Sequence, residues 1–117
     1  MSKLNNLQPM IRLSIVNPNT ESSSVFGRGI ASLCIGVRET GSLNAAAKSM
    51  RMAYSKAWRI IKETEAALDV QLLNRDGAHG STLTEECEQI LAAYQAIEKN
   101  LQQQAVALYD EEMSNAK

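Results

Sequence analysis

From Met10 to Val16 the chain alternates: Ile11, Leu13 and Ile15 share one face, while Met10, Arg12, Ser14 and Val16 share the other. A period of two predicts a strand with one purely aliphatic side. Asn17-Pro18-Asn19-Thr20 is turn chemistry, since Asn tolerates left-handed backbone and Pro fixes its own φ. Ser22 to Ser24 lengthens the loop, and Val25-Phe26 offers a short return strand before Gly27. Residues 10–26 therefore read as a hairpin.

The period then becomes helical. Ile30, Leu33, Cys34 and Val37 fall at i, i+3, i+4 and i+7, predicting a helix from about Gly29 to Thr40. Gly41 suits the left-handed residue that ends such a helix. Ser42 reads as the N-cap of a second helix, Leu43 to about Met50, where Ala45-Ala46-Ala47 permits close approach by a neighbour. After Met50-Arg51-Met52-Ala53, a third helix runs to Leu68. It groups Tyr54, Ala57, Trp58 and Ile61 on one side, with Ser55, Lys56, Arg59 and Lys62 opposite. Val70 to Asn74 and Thr82-Leu83 flank a turn-rich segment and read as a second small hairpin. Thr84, followed by Glu85 and Glu86, starts a last helix reaching Tyr109 or Glu112. Its apolar line is Ile90, Leu91, Tyr94, Ile97, Leu101 and Leu108.

The expected fold is mainly α with small β-hairpins: a winged helix-turn-helix with a long C-terminal dimerisation helix. Residues 1–9 form a tail, 10–84 the winged domain, 85–112 the dimerisation helix and 113–117 a frayed end. Two short helices joined by a tight turn, the second with a basic outer face, place that second helix in a major groove. The hairpin after it stands where a wing belongs. A terminal helix of about 25 residues spans ~37 Å at 1.5 Å per residue, more than so small a domain can cover. Its apolar line calls for a partner, most simply a second copy about a two-fold axis.

Charge refines this reading. The formal total is −1, which argues against coating nucleic acid through bulk positive charge. Yet residues 42–83 carry six basic against four acidic side chains, whereas residues 84–117 carry two against seven. A polyanion is attracted to the middle and repelled by the C-terminal end. Length and apolar content are those of one globular domain. Two cysteines, Cys34 and Cys87, make neither a disulfide framework nor a zinc set. Both read as structural, and the expected setting is the cytoplasm with reduced thiols. With one histidine, no nucleophile elbow and no phosphate-cradling glycine loop, no catalytic residue, metal or cofactor is expected. There is no signal-peptide core and no membrane-spanning run.

The runs Glu39-Thr40-Gly41-Ser42-Leu43-Asn44-Ala45-Ala46-Ala47-Lys48 and Met52-Ala53-Tyr54-Ser55-Lys56-Ala57-Trp58 carry a family resemblance. The chain resembles the N-terminal DNA-binding domain of the molybdate-responsive ModE regulators. Leu72-Leu73-Asn74-Arg75, then Gly77 and Gly80, then Leu83-Thr84 continue the likeness, which covers about residues 10–105. The pairing of Thr-Gly-Ser with Ala-Trp is what distinguishes it from the related LysR-type helix-turn-helix, which lacks the Trp. The resemblance implies a dimeric winged helix-turn-helix on a two-fold-related duplex site. It implies that the helix from Tyr54 is the recognition helix, that Ser42 and Ala45 lie near phosphates, and that Arg75 stands at the base of the wing.

Three positions depart from the family pattern. Arg51 replaces a glycine in the helix–helix turn, Ala53 replaces a capping serine, and the shortened wing lacks a lysine, His79 being the nearest polar substitute. The oxyanion-binding domain of full-length members is not among these 117 residues, so molybdate sensing is not carried over and the effector is unknown. Geometry adds Ser55, Lys56 and Arg59, early on the exposed face, as contacts to bases or phosphates. Lys62 is a further candidate one turn on. His79 reads as solvated, with a minor-groove contact as the alternative, and Trp58 reads as core. The expected partners are double-stranded DNA and a second copy of the chain. The other reading is a protein-interaction or structural domain that keeps the fold without binding DNA, favoured by the near-neutral charge and the altered turn.

Overall fold

The computed structural model describes residues 3–76 and 80–116. Among them, four helices and one two-stranded hairpin follow in order: α1 (Arg28–Thr40), α2 (Leu43–Ser49), α3 (Tyr54–Leu68), β1 (Leu73–Asp76), β2 (Gly80–Leu83) and α4 (Glu85–Asn115). The stripe expected on α1 is buried in full: Ile30, Leu33, Cys34 and Val37 lie inside with Phe26, Leu43, Ile61, Leu72 and Leu91. Each large aliphatic side chain withdrawn from water in this way contributes roughly 1.5–3 kcal/mol. Gly41 ends α1 at φ 72°, its N–H donating to the Val37 carbonyl. The Gly41 carbonyl in turn accepts from the Ser81 N–H at 2.9 Å, tying the end of α1 to β2. The Ser42 hydroxyl caps α2 by accepting from the Ala45 N–H at 3.1 Å, and Ala46 and Ala47 are buried.

Cys34 and Cys87 meet in this core, sulfur to sulfur at 3.5 Å and not bonded. The hydrogen bond with Cys87, with burial added, pushes the Cys34 thiol up, so it stays protonated and serves as packing. Tyr94 closes the far side, edge-on to Phe26 at 5.6 Å between ring centroids.

The first hairpin differs from expectation. Burial alternates along the arm, with Ile11, Leu13 and Ile15 turned inward and Met10, Arg12, Ser14 and Val16 outward. Pairing, however, is confined to Ile15 and Phe26, which exchange two hydrogen bonds of 2.9 Å. The backbone of the arm is committed elsewhere. Gln102 of α4 accepts from the Ile11 N–H at 2.8 Å and donates to the Pro9 carbonyl at 2.9 Å. Beyond the turn, Asn17 donates to the Leu68 carbonyl at 3.0 Å and Thr20 to that of Ala67 at 2.6 Å. Residues 3–9 also make contacts with the rest of the chain. Lys3–Asn6 forms a 3-10 turn, and the Tyr109 hydroxyl donates to the Leu4 carbonyl at 2.7 Å.

The second hairpin pairs Leu73 with Leu83, Asn74 with Thr82, Arg75 with Ser81 and Asp76 with Gly80. It starts three residues later than the apolar run suggests, because the backbone before it is bonded to α3. The Val70 N–H donates to the Glu65 carbonyl at 3.2 Å, and the Leu72 and Leu73 N–H groups donate to the Glu65 carboxylate at 2.7 and 3.3 Å. Gly77 and His79 lie outside the described residues. Thr84 caps α4, accepting from the Cys87 N–H at 3.0 Å. The helix spans 31 residues, about 46 Å at 1.5 Å per residue. It is thus helical through residues 113–115, where a frayed end was expected.

Candidate nucleic-acid interface

The turn between α2 and α3 sets the geometry of everything outside it. The Arg51 N–H donates to the Lys48 carbonyl at 3.0 Å and the Met52 N–H to that of Ala47 at 2.9 Å, the paired closure of a Schellman motif. That motif needs a left-handed residue, and Arg51 supplies it at φ 56°. With a side chain in place of glycine's hydrogen, this costs about 1–2 kcal/mol. Ala53 then opens α3 in extended conformation without a side-chain cap.

The buried side of α3 is Ala57, Ile61, Thr64, Ala67 and Leu68. Thr64 is accommodated because its hydroxyl donates to the Ile60 carbonyl at 2.8 Å. Ser55, Lys56, Arg59 and Lys62 are all exposed on the outer side. Arg59 pairs with Glu63 at 3.7 Å and Lys62 with Glu65 at 3.3 Å. The cations of both pairs stand in solvent, where such bridges contribute little and yield to a competing anion. Among the described residues Lys56 has no ion pair. Ser42 and Ala45 stand at the start of α2, half-buried, closed on one another by the capping bond.

Trp58 packs against the core from its edge, while Tyr54 lies outside it. Tyr54 is 45% exposed and Trp58 only half-buried. They occupy its rim, at the start of α3. The indole N–H of Trp58 donates to the Tyr54 hydroxyl, and the rings stand edge-on with centroids 6.3 Å apart. Over the indole face lie the Arg75 guanidinium at 4.5 Å and the Lys62 ammonium at 5.3 Å. The structure thus brings Lys62 and Arg75 together on one ring. It leaves Ser55, Lys56 and Arg59 as a separate exposed set.

Two functional groups escape a reading of the residues alone. Glu65 looks like one more surface acid of α3, yet it accepts the two N–H groups that launch β1. The approach of the Arg75 guanidinium to the Trp58 ring joins residues 17 apart in different elements, and no spacing rule foreshadows it. On α4, Ile97, Leu101 and Leu108 are 43%, 40% and 58% exposed, an apolar line that continues the buried Leu91 and Tyr94. Among the described residues there is no cluster of metal ligands and no helix long and apolar enough to cross a membrane.

Residues 32–88 match the family of bacterial regulatory helix-turn-helix proteins, lysR family. That span holds all of α2, the turn, α3 and the hairpin. No curated protein sequence matches the chain. Among solved structures the chain is similar to the crystal structure of the CbnR DNA-binding domain in complex with DNA. The TM-score is 0.55 and the identity 26%, over 74% of this chain and 94% of that one.

Proposed function

We propose that the protein is a transcriptional regulator that binds duplex DNA without catalysis, a reading supported by the match of residues 32–88 to the lysR family of bacterial regulatory helix-turn-helix proteins. In this reading α3 enters the major groove, and Ser55, Lys56 and Arg59 reach base edges and phosphates from its first turns. Ser42 and Ala45 set the start of α2 beside the backbone. Arg75 and His79 extend the contact, and Lys62 is a further candidate. The observation that carries the reading is the division of α3: Ala57 and Ile61 wholly buried, Lys56 and Arg59 wholly on the solvent side.

Two finer features belong to the same proposal. The protein acts as a dimer through α4, whose exposed Ile97, Leu101 and Leu108 meet their copies about a two-fold axis and set two recognition helices on successive grooves about 34–36 Å apart. It is of the ModE kind, supported by Trp58 and by the Thr40-Gly41-Ser42 run that ends α1 and caps α2.

A gel-shift against pooled random duplexes at low salt tests this. Retardation by the wild type, weakened in Lys56→Ala with Arg59→Ala and carrying a shallower salt dependence, supports it. Unchanged binding in that variant rejects the assigned face. The second reading, a domain that binds protein and not DNA, is favoured by the local pairing of Arg59 and Lys62 with acids of their own helix. Absence of any retardation supports it.

A further inference from the structure

We infer that Trp58 is a positioning residue for Arg75, holding its guanidinium over the indole so that its free N–H groups meet a phosphate of the duplex. This rests on the DNA-binding reading and adds to it a role for a residue of α3 that faces the hairpin.

The guanidinium carbon of Arg75 lies 4.5 Å from the centroid of the Trp58 ring, inside the range where a cation is attracted by an indole face. A guanidinium attracted to a ring face in this way spends none of its five N–H donors on a hydrogen-bond acceptor. Among the described residues no carboxylate pairs with Arg75, and the side chain is exposed. Lys62, the other cation on the ring, already has a carboxylate neighbour in Glu65 at 3.3 Å, whereas Arg75 has none among the described residues. Trp58 is itself fixed from the opposite end, its indole N–H donating to Tyr54 at the start of α3. Arg75 is fixed by the strand register that sets it opposite Ser81.

The chain Tyr54–Trp58–Arg75 therefore links the leading turn of α3 to the hairpin. An arginine ordered before binding loses less rotamer freedom when a phosphate arrives. Paired N–H groups of a guanidinium suit two phosphate oxygens.

Trp58 is the single tryptophan of the chain, so its emission reports on this site alone. In DNA-free protein, Arg75→Ala is expected to change the intensity or maximum of that emission; an unchanged spectrum means the ring and the guanidinium are apart, and overturns the inference. With duplex, Trp58→Leu and Arg75→Ala are each expected to weaken binding and to make the salt slope shallower by about 1 per protomer. Trp58→Phe, which keeps an aromatic face, is expected to retain most of the affinity, and it guards against a folding defect in Trp58→Leu. The double variant is expected to bind no more weakly than Arg75→Ala. Additive losses, or an unchanged slope in Trp58→Leu, overturn the positioning role alone. A wild type that retards no duplex overturns the DNA-binding reading, and the phosphate role with it.

Discussion

A β-carbon placed on Gly36 would stand 2.6 Å from the β-carbon of Ala46, so α1 and α2 touch there with nothing to spare. Two rigid groups cannot share that gap. Gly36→Ala gains up to about 1 kcal/mol of helix propensity and loses about 1–3 kcal/mol to overpacking. A net loss is expected from urea denaturation, and adding Ala46→Gly is expected to recover part of it.

Ala53 opens α3 in a backbone conformation that suits a capping residue but offers no side-chain acceptor. Ala53→Ser supplies one. Stability is expected to rise by about 0.5–2 kcal/mol, read from thermal or denaturant unfolding; no gain would mean the first turn of α3 is satisfied in another way.

Glu65 accepts from the Leu72 and Leu73 N–H groups while its other oxygen meets Lys62. Glu65→Ala orphans both backbone donors at the root of the hairpin. About 1–3 kcal/mol is expected to be lost, with faster hydrogen exchange at those two amides. Glu65→Gln keeps one carbonyl oxygen and is expected to lose less.

Tyr94 is buried, and burial, followed by its hydrogen bond to Glu98 at 3.0 Å, raises its hydroxyl above the ordinary value of 10.0. The folded protein therefore holds this proton more tightly than the unfolded chain. The contribution is fully present below about pH 10 and is lost as pH rises through the raised value. Denaturation midpoints are expected to hold up to about pH 10 as far as this group is concerned and to fall above it in the wild type, less steeply in Tyr94→Phe.

What was legible in the residues was whatever obeys a local period or a local cap. The α1 stripe, the Gly41 stop, the Ser42 and Thr84 caps and the buried Ala57 and Ile61 all follow from chemistry within one or two turns. The outward placement of Ser55, Lys56 and Arg59 follows from the same period. The misses are long-range. The period of two in residues 10–16 is real, but it cannot say whether the backbone will bond to a second strand or to Gln102 of a distant helix. Tyr54 and Trp58 share the phase of the stripe, yet phase alone does not show that Tyr54 is left exposed and Trp58 only half-buried against the core. The late start of β1 depends on a carboxylate seven residues upstream.

The Tyr109 hydroxyl reaches back across 105 residues to the Leu4 carbonyl. Early and late portions of the polypeptide consequently share one address, beside the strip that includes Leu108. A bulky fluorophore or tether grafted near either would crowd the same spot, obstructing any assembly formed through that strip.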